Sequence, residues 1–126
     1  MFSIDVLSRQ PIYEQIINQL ERLVMAGALK SGGQIPSVRG LSVELSINPN
    51  TIQKAYAELD RRGIICSVPG RGCFIAENAV SRLSEIKRRE ITTFETLARE
   101  LALAGVEENA LHEAVKKAYS PFTETC

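Results

Sequence analysis

Two helix starts set close together, followed at once by a Pro/Gly-rich tip between β-prone runs, constrain this chain more than any other feature. Ser37 is a good N-cap, because its side-chain oxygen can accept a helix-start N–H, and Val38, Leu41 and Leu45 follow at helical spacing. This predicts a short helix over about 37–45. After Ser46 and Ile47 the pattern restarts with Asn48-Pro49, a capping residue followed by proline in the first turn, where its missing N–H is harmless. Ile52, Ala55, Tyr56 and Leu59 then form one apolar stripe and Gly63 follows the last turn, predicting a second helix over about 49–62. Two short helices joined by so tight a turn form a helix-turn-helix. Residues 64–68 and 73–75 are β-prone runs around Pro69-Gly70-Arg71-Gly72, and they read as a hairpin. A hairpin placed directly after a helix-turn-helix is a wing.

The flanks supply the remaining helices. Pro11 and then Ile12, Ile16, Leu20, Leu23 and Val24, ended by Gly27, predict a helix over about 11–26, and residues 30–36 form a turn-rich connector. From about Ser81 the chain runs without Pro or Gly as far as Gly105, and Leu111, Ala114, Val115 and Ala118 mark a last helix over about 107–119, closed by Pro121. The expected fold is mostly α with a small β-hairpin: a winged helix-turn-helix domain over 1–78 and a two-helix element over 79–126. The stripe of Val80, Leu83, Phe94, Leu97 and Leu101 is too long for one small following helix to bury. With Leu111 and Val115 it is therefore read as the interface of a homodimer. Lys87 and Glu90 interrupt the stripe, which favours an irregular bundle over a long coiled coil. The simpler competing arrangement packs both helices back on the winged domain.

At 126 residues, 44% hydrophobic and 24% charged, the chain fits one soluble globular domain or a small domain with an appendage. No apolar run approaches the ~20 residues that span a bilayer. The N-terminus carries Asp5 and no basic stretch, unlike a secretory signal. Cys66, Cys73 and Cys126 are odd in number and do not suggest a disulfide framework, so a cytoplasmic location is expected. Fifteen basic and 15 acidic residues give a net charge of zero, which by itself disfavours a nucleic-acid partner. The sum is a cancellation, however. Residues 30–72 carry Lys30, Arg39, Lys54, Arg61, Arg62 and Arg71 against Glu44, Glu58 and Asp60, and the acidic excess lies elsewhere.

That basic segment has the parts of a DNA reader. The predicted helix 49–62 turns Asn50, Gln53, Lys54 and Ala57 away from its apolar stripe. Asn and Gln present a donor and an acceptor together, as an adenine edge requires, and Lys suits guanine or phosphate. Ser37, Thr51 and the unpaired N–H groups of two helix starts suit phosphate oxygens. Arg39 is short of local acidic partners, and Arg71 stands between Gly70 and Gly72 at the wing tip, from which it can enter the minor groove. Taken singly, a polar helix face or a Gly-Arg-Gly turn is usually only solvated surface; the order of the elements is what points to double-stranded DNA. The other reading is a winged-helix protein–protein interaction module whose helix 49–62 is covered by another protein.

The remaining residues suggest no chemistry. Lys87, Arg88 and Arg89 are partly neutralised by Glu85 and Glu90, and His112 stands without a neighbouring Cys or Asp at metal-ligand spacing. Cys66 and Cys73 fall on opposite arms of the hairpin, either as a redox pair or, more simply, as small packing side chains, and Cys126 sits at an exposed end. No catalytic triad, phosphate loop or paired carboxylates are visible, so the chain reads as neither an enzyme nor a holder of cofactor or metal.

The segments PIYEQIINQL, QIPSVRGLSVELSINPNTIQKAYAELDRRGII and GRGCFI together resemble the winged helix-turn-helix of the GntR family of bacterial transcription regulators. SVR…NPNTIQKAY with only a short segment behind it resembles the YtrA-like subfamily. The resemblance covers about residues 10–76 by motif, and 80–126 by length and helical texture. It implies a dimeric repressor on an inverted-repeat operator, often that of a transporter operon. It also implies DNA contacts at Ser37 and Arg39, at Asn50, Thr51, Gln53 and Tyr56, and at Gly70, Arg71 and Gly72, with Lys54 added by its place on the exposed face. Longer relatives carry a metabolite-binding domain; here the only place for a small-molecule effector, whose existence and identity the sequence leaves open, is between the two C-terminal helices. Three positions depart from the common pattern. Pro49 replaces a base-reading Arg, as in the YtrA-like group; Gly40 replaces a Glu that would complete a capping box; and Ser46 occupies a turn position often held by Gly, where strain is expected.

Overall fold

Capping and apolar spacing determine most of the helices in the computed structural model, which describes residues 2–123. The element order is α1 (Ile12–Met25), β1 (Gln34–Ile35), α2 (Val38–Leu45), α3 (Pro49–Arg61), β2 (Ile65–Val68), β3 (Gly72–Ile75), α4 (Ala79–Arg88), α5 (Ile91–Leu103) and α6 (Glu108–Thr123). The chain divides into two compact units, Met1–Ile86 and Lys87–Cys126.

In the first unit, Ile16, Leu20 and Val24 of α1 meet Leu41 of α2 and Ile52, Ala55 and Leu59 of α3, all of them buried. Ile35, Ile65 and Ile75 close this core from the sheet, and Ala79 and Leu83 close it from α4. The segment before α1 is strapped down by two glutamines. Buried Gln15 accepts from Asp5 N–H and donates to the carbonyls of Asp5 and Gln10, and Gln19 pairs with both backbone groups of Ser3. Phe2 and Ile4 thereby lie against the core.

The wing belongs to a three-stranded antiparallel sheet in the order β1-β3-β2, one strand more than the expected hairpin. Its third strand is Gln34–Ile35, inside the connector, where two residues are too few to show a period. Register pairs Cys66 with Phe74 and Ser67 with Cys73, so the two cysteines point to opposite faces and cannot bridge within the hairpin. Cys126 lies outside the described residues.

The tail holds three helices where two were expected. The single helix predicted to run to Gly105 breaks after Arg88, and Glu90 N–H closes a turn onto Lys87 O. The charged run 87–90 has no apolar side chain to hold a continuous helix against anything. Leu83, assigned to a dimer interface, is instead fully buried in the first unit and is not available to a partner. Pro121 does not close the last helix; it lies inside α6, in its last turn, where it lacks the N–H that would bond the carbonyl four residues earlier. In the second unit α5 buries none of its residues, and Phe94 and Leu97 are about half exposed at 54% and 55%. No helix among the described residues is long and apolar enough to cross a membrane.

Candidate nucleic-acid interface

The two helix starts have the caps that their sequences require. Ser37 Oγ accepts from Gly40 N–H at 3.0 Å, and Asn48 Oδ1 accepts from Asn50 N–H at 2.8 Å, with Pro49 opening α3. Each cap satisfies one orphan donor. At the start of α3 Pro49 has no N–H and those of Thr51 and Ile52 turn back onto Asn48 O, so that helix start keeps no unpaired N–H in its first turn. The Ser37 hydroxyl hydrogen remains able to donate. Ser46 joins the two helices in the left-handed region at φ 55° and ψ 44°, which makes the turn tight enough to set α3 across α2.

On α3 the apolar stripe of Ile52, Ala55, Tyr56 and Leu59 is buried, and Asn50, Gln53, Lys54 and Ala57 are exposed as the periodicity requires, with Thr51 half-buried beside them. Arg39 is exposed on the first turn of α2. Tyr56 does not join this outward set. Its ring is 3% exposed, and its hydroxyl donates to Pro36 O at 2.7 Å, tying the middle of α3 to the residue before the α2 cap. Burial pushes the Tyr56 phenol well above its ordinary range, so it stays a donor. Tyr56 is therefore a support of the helix-turn-helix and does not reach solvent, as its place on the apolar stripe suggests and its implied place among the DNA contacts does not.

The wing tip is a type II turn. Pro69 and Gly70 occupy its centre, Gly70 has φ 76°, and Arg71 N–H donates to Val68 O at 2.9 Å. Arg71 is exposed, and neither it nor Arg39 forms an ion pair among the described residues.

The other cations of the segment behave differently. Arg61 and Arg62 both bind the Glu58 carboxylate, and Arg62 Nη1 also reaches Glu21 Oε2 of α1 at 2.9 Å, where Glu21 is almost fully buried. The hydrogen bonds from Arg61, with the one from Arg62, hold the Glu58 carboxyl down to about 2. Two of the six cations counted in residues 30–72 are thus engaged in a clasp between α1 and α3, and the cations left to the outer surface are Lys30, Arg39, Lys54 and Arg71. Lys54 is itself steadied, with Nζ 4.0 Å from the centroid of the Tyr13 ring across the α1–α3 groove. No pattern in the sequence linked Tyr13 to Lys54, because the contact spans two helices. His112 pairs with Glu108 along α6 at 2.9 Å.

Comparison with known proteins agrees with this geometry. The sequence profile of the bacterial regulatory proteins of the gntR family matches residues 12–75. The chain is 46% identical over 118 residues to the HTH-type transcriptional repressor YtrA of Bacillus subtilis (strain 168), covering 93% of this chain and 91% of that protein. It is 35% identical over 119 residues to the uncharacterized HTH-type transcriptional regulator YhcF of the same strain, covering 93% of each. Among solved structures, a transcriptional regulator from Oenococcus oeni matches with a TM-score of 0.74 at 29% identity, over 94% of this chain and 98% of that one. A helix-turn-helix with an outward polar face, a basic wing tip and relatives matched along nearly the whole chain together establish that this protein belongs to the GntR family, on its short YtrA-like branch, and is a DNA-binding transcription regulator rather than an enzyme.

Proposed function

We propose that this regulator is a repressor that binds an inverted-repeat operator as a homodimer, with α3 in the major groove and the wing tip 69–72 in the adjacent minor groove. Ser37, Arg39, Asn50, Thr51, Gln53, Lys54, Gly70, Arg71 and Gly72 form the contact surface. The observation that carries this reading is the division of the arginines: Arg61 and Arg62 are locked in ion pairs, and Arg39 and Arg71 stand outward on the two elements that would straddle the duplex backbone. Repression is supported by the similar YtrA repressor, and control of a transporter operon by what the resemblance implies.

Dimerisation would be carried by Val80, Phe94, Leu97, Leu101, Leu111 and Val115, supported by the apolar side chains that α5 leaves uncovered. The test is a titration of operator duplex, recovered by selection from a random pool, at several salt concentrations. Log affinity should fall linearly with log salt. Arg39→Ala and Arg71→Ala should each cost about 1–3 kcal/mol if they read bases, or lower the salt slope by about 1 if they bind phosphate. Unchanged affinity in both variants would sink the contact assignment.

A further inference from the structure

Gln34 lies on the edge strand β1, and its side chain turns toward the wing. Register sets Gln34 opposite Phe74, and Phe74 opposite Cys66, so these three share one face of the sheet. The neighbouring position of β3 on that face is Gly72, which has no side chain. A Cβ there would stand 2.8 Å from Gln34 Nε2, so the glycine is what leaves the amide room to pass. Beyond it, Gln34 Nε2 donates to the Arg71 carbonyl at 3.2 Å. Arg71 N–H is already held by Val68 O at 2.9 Å. The backbone of Arg71 is therefore tied on both sides of its Cα, once within the hairpin and once from a different strand, with its guanidinium left outward. The turn's own bond fixes the shape of the tip; the bond from Gln34 fixes the tip relative to the sheet.

We propose that Gln34 is a positioning residue for DNA recognition, holding the Arg71 carbonyl so that the wing tip is ordered before the duplex arrives. The inference rests on the reading that Arg71 contacts DNA. Ordering a loop during binding subtracts from affinity, and a tip ordered beforehand avoids that loss. One neutral hydrogen bond corresponds to roughly three- to tenfold in affinity. Gln34→Met keeps about the length and volume of the side chain and removes the amide that donates to Arg71, at an exposed site where folding is little affected.

The experiment compares wild type, Q34M, R71A and the double variant on the selected operator duplex, with amide order parameters of the DNA-free protein and thermal unfolding measured alongside. Q34M is expected to weaken binding by roughly three- to tenfold, to loosen the Arg71 amide while leaving α3 unchanged, and to keep the unfolding midpoint. In the Arg71→Ala background its further effect should be clearly smaller, since the side chain it positions is gone and only the Gly70 and Gly72 backbone contacts remain; a merely structural role would weaken both backgrounds alike. Equal loss in both backgrounds, or no loss in Q34M where R71A is weakened, overturns the role of Gln34 and leaves the Arg71 contact standing. Wild-type affinity in R71A overturns the contact itself, and the inference with it.

Discussion

Ser46 holds a backbone conformation, φ 55° and ψ 44°, that side-chain-bearing residues adopt at a cost of about 1–2 kcal/mol. Its N–H and that of Ile47 turn back onto Val43 O and Ser42 O, and at the end of α3 Gly63 and Ile64 do the same onto Asp60 O and Leu59 O at φ 79°. The same closing motif is thus made once by glycine and once by serine. Ser46→Gly should raise stability by about 0.5–1 kcal/mol, the relief being partly offset by the greater freedom of glycine in the unfolded chain. Urea unfolding checks this: the midpoint should rise at unchanged slope, and a fall would show that Ser46 contributes a contact that outweighs the strain. The strain could be read in the sequence because a position that closes a tight turn needs a positive φ. Tyr56 was only half legible. Its spacing put it on the buried stripe while the resemblance put it among the DNA contacts, and only the position of Pro36 O, 2.7 Å from its hydroxyl, shows which holds.

At the scale of elements, what the sequence shows well is what depends on neighbours along the chain. The caps at Ser37 and Asn48, the stripe of α3 and the Pro69-Gly70 turn all follow from local chemistry. Strand β1 does not, since Gln34 and Ile35 become a strand only by meeting Phe74 and Cys73 from far along the chain. The α1–α3 clasp is likewise hidden, because a count of charges does not say which arginines are paired. Its two arginines should behave unequally. Arg61 serves only the exposed edge of Glu58, where solvent screens the pair, and Arg61→Ala should leave the unfolding midpoint nearly unchanged. Arg62→Ala leaves Glu21, at 3% exposure, without its ion pair. Removing one partner of a buried pair costs about 3–5 kcal/mol, and the partial exposure of Arg62 reduces the expected loss to about 2–3 kcal/mol. Denaturant unfolding of the two variants decides it; equal losses would mean that water replaces Arg62 at Glu21.

For the whole molecule, zero net charge and a DNA-binding function are reconciled by distribution. With Arg61 and Arg62 engaged, few cations remain to attract a duplex non-specifically, so tight binding has to come from correct bases and from two heads engaged at once. This is the physical case for the proposed dimer. Its sequence evidence was the apolar spacing of the tail, which was right about surplus but blind to how the surplus is divided: Leu83 is absorbed by the core of the first unit, and Phe94 and Leu97 are left uncovered on α5. Periodicity along one helix cannot distinguish a residue that meets its own chain from one that meets another. Replacing both uncovered residues, in a Phe94→Glu, Leu97→Glu variant, should abolish the dimer in sedimentation and leave the unfolding of the winged unit unchanged, since neither side chain belongs to its core. Loss of the linked second head should then weaken binding to the full palindrome by about 100-fold or more, while binding to a duplex carrying one half-site holds nearly constant. Wild-type protein that sediments as a monomer at the concentrations where it binds operator would remove the dimer from the mechanism, and equal loss on both duplexes would place Phe94 and Leu97 in the support of a single head instead.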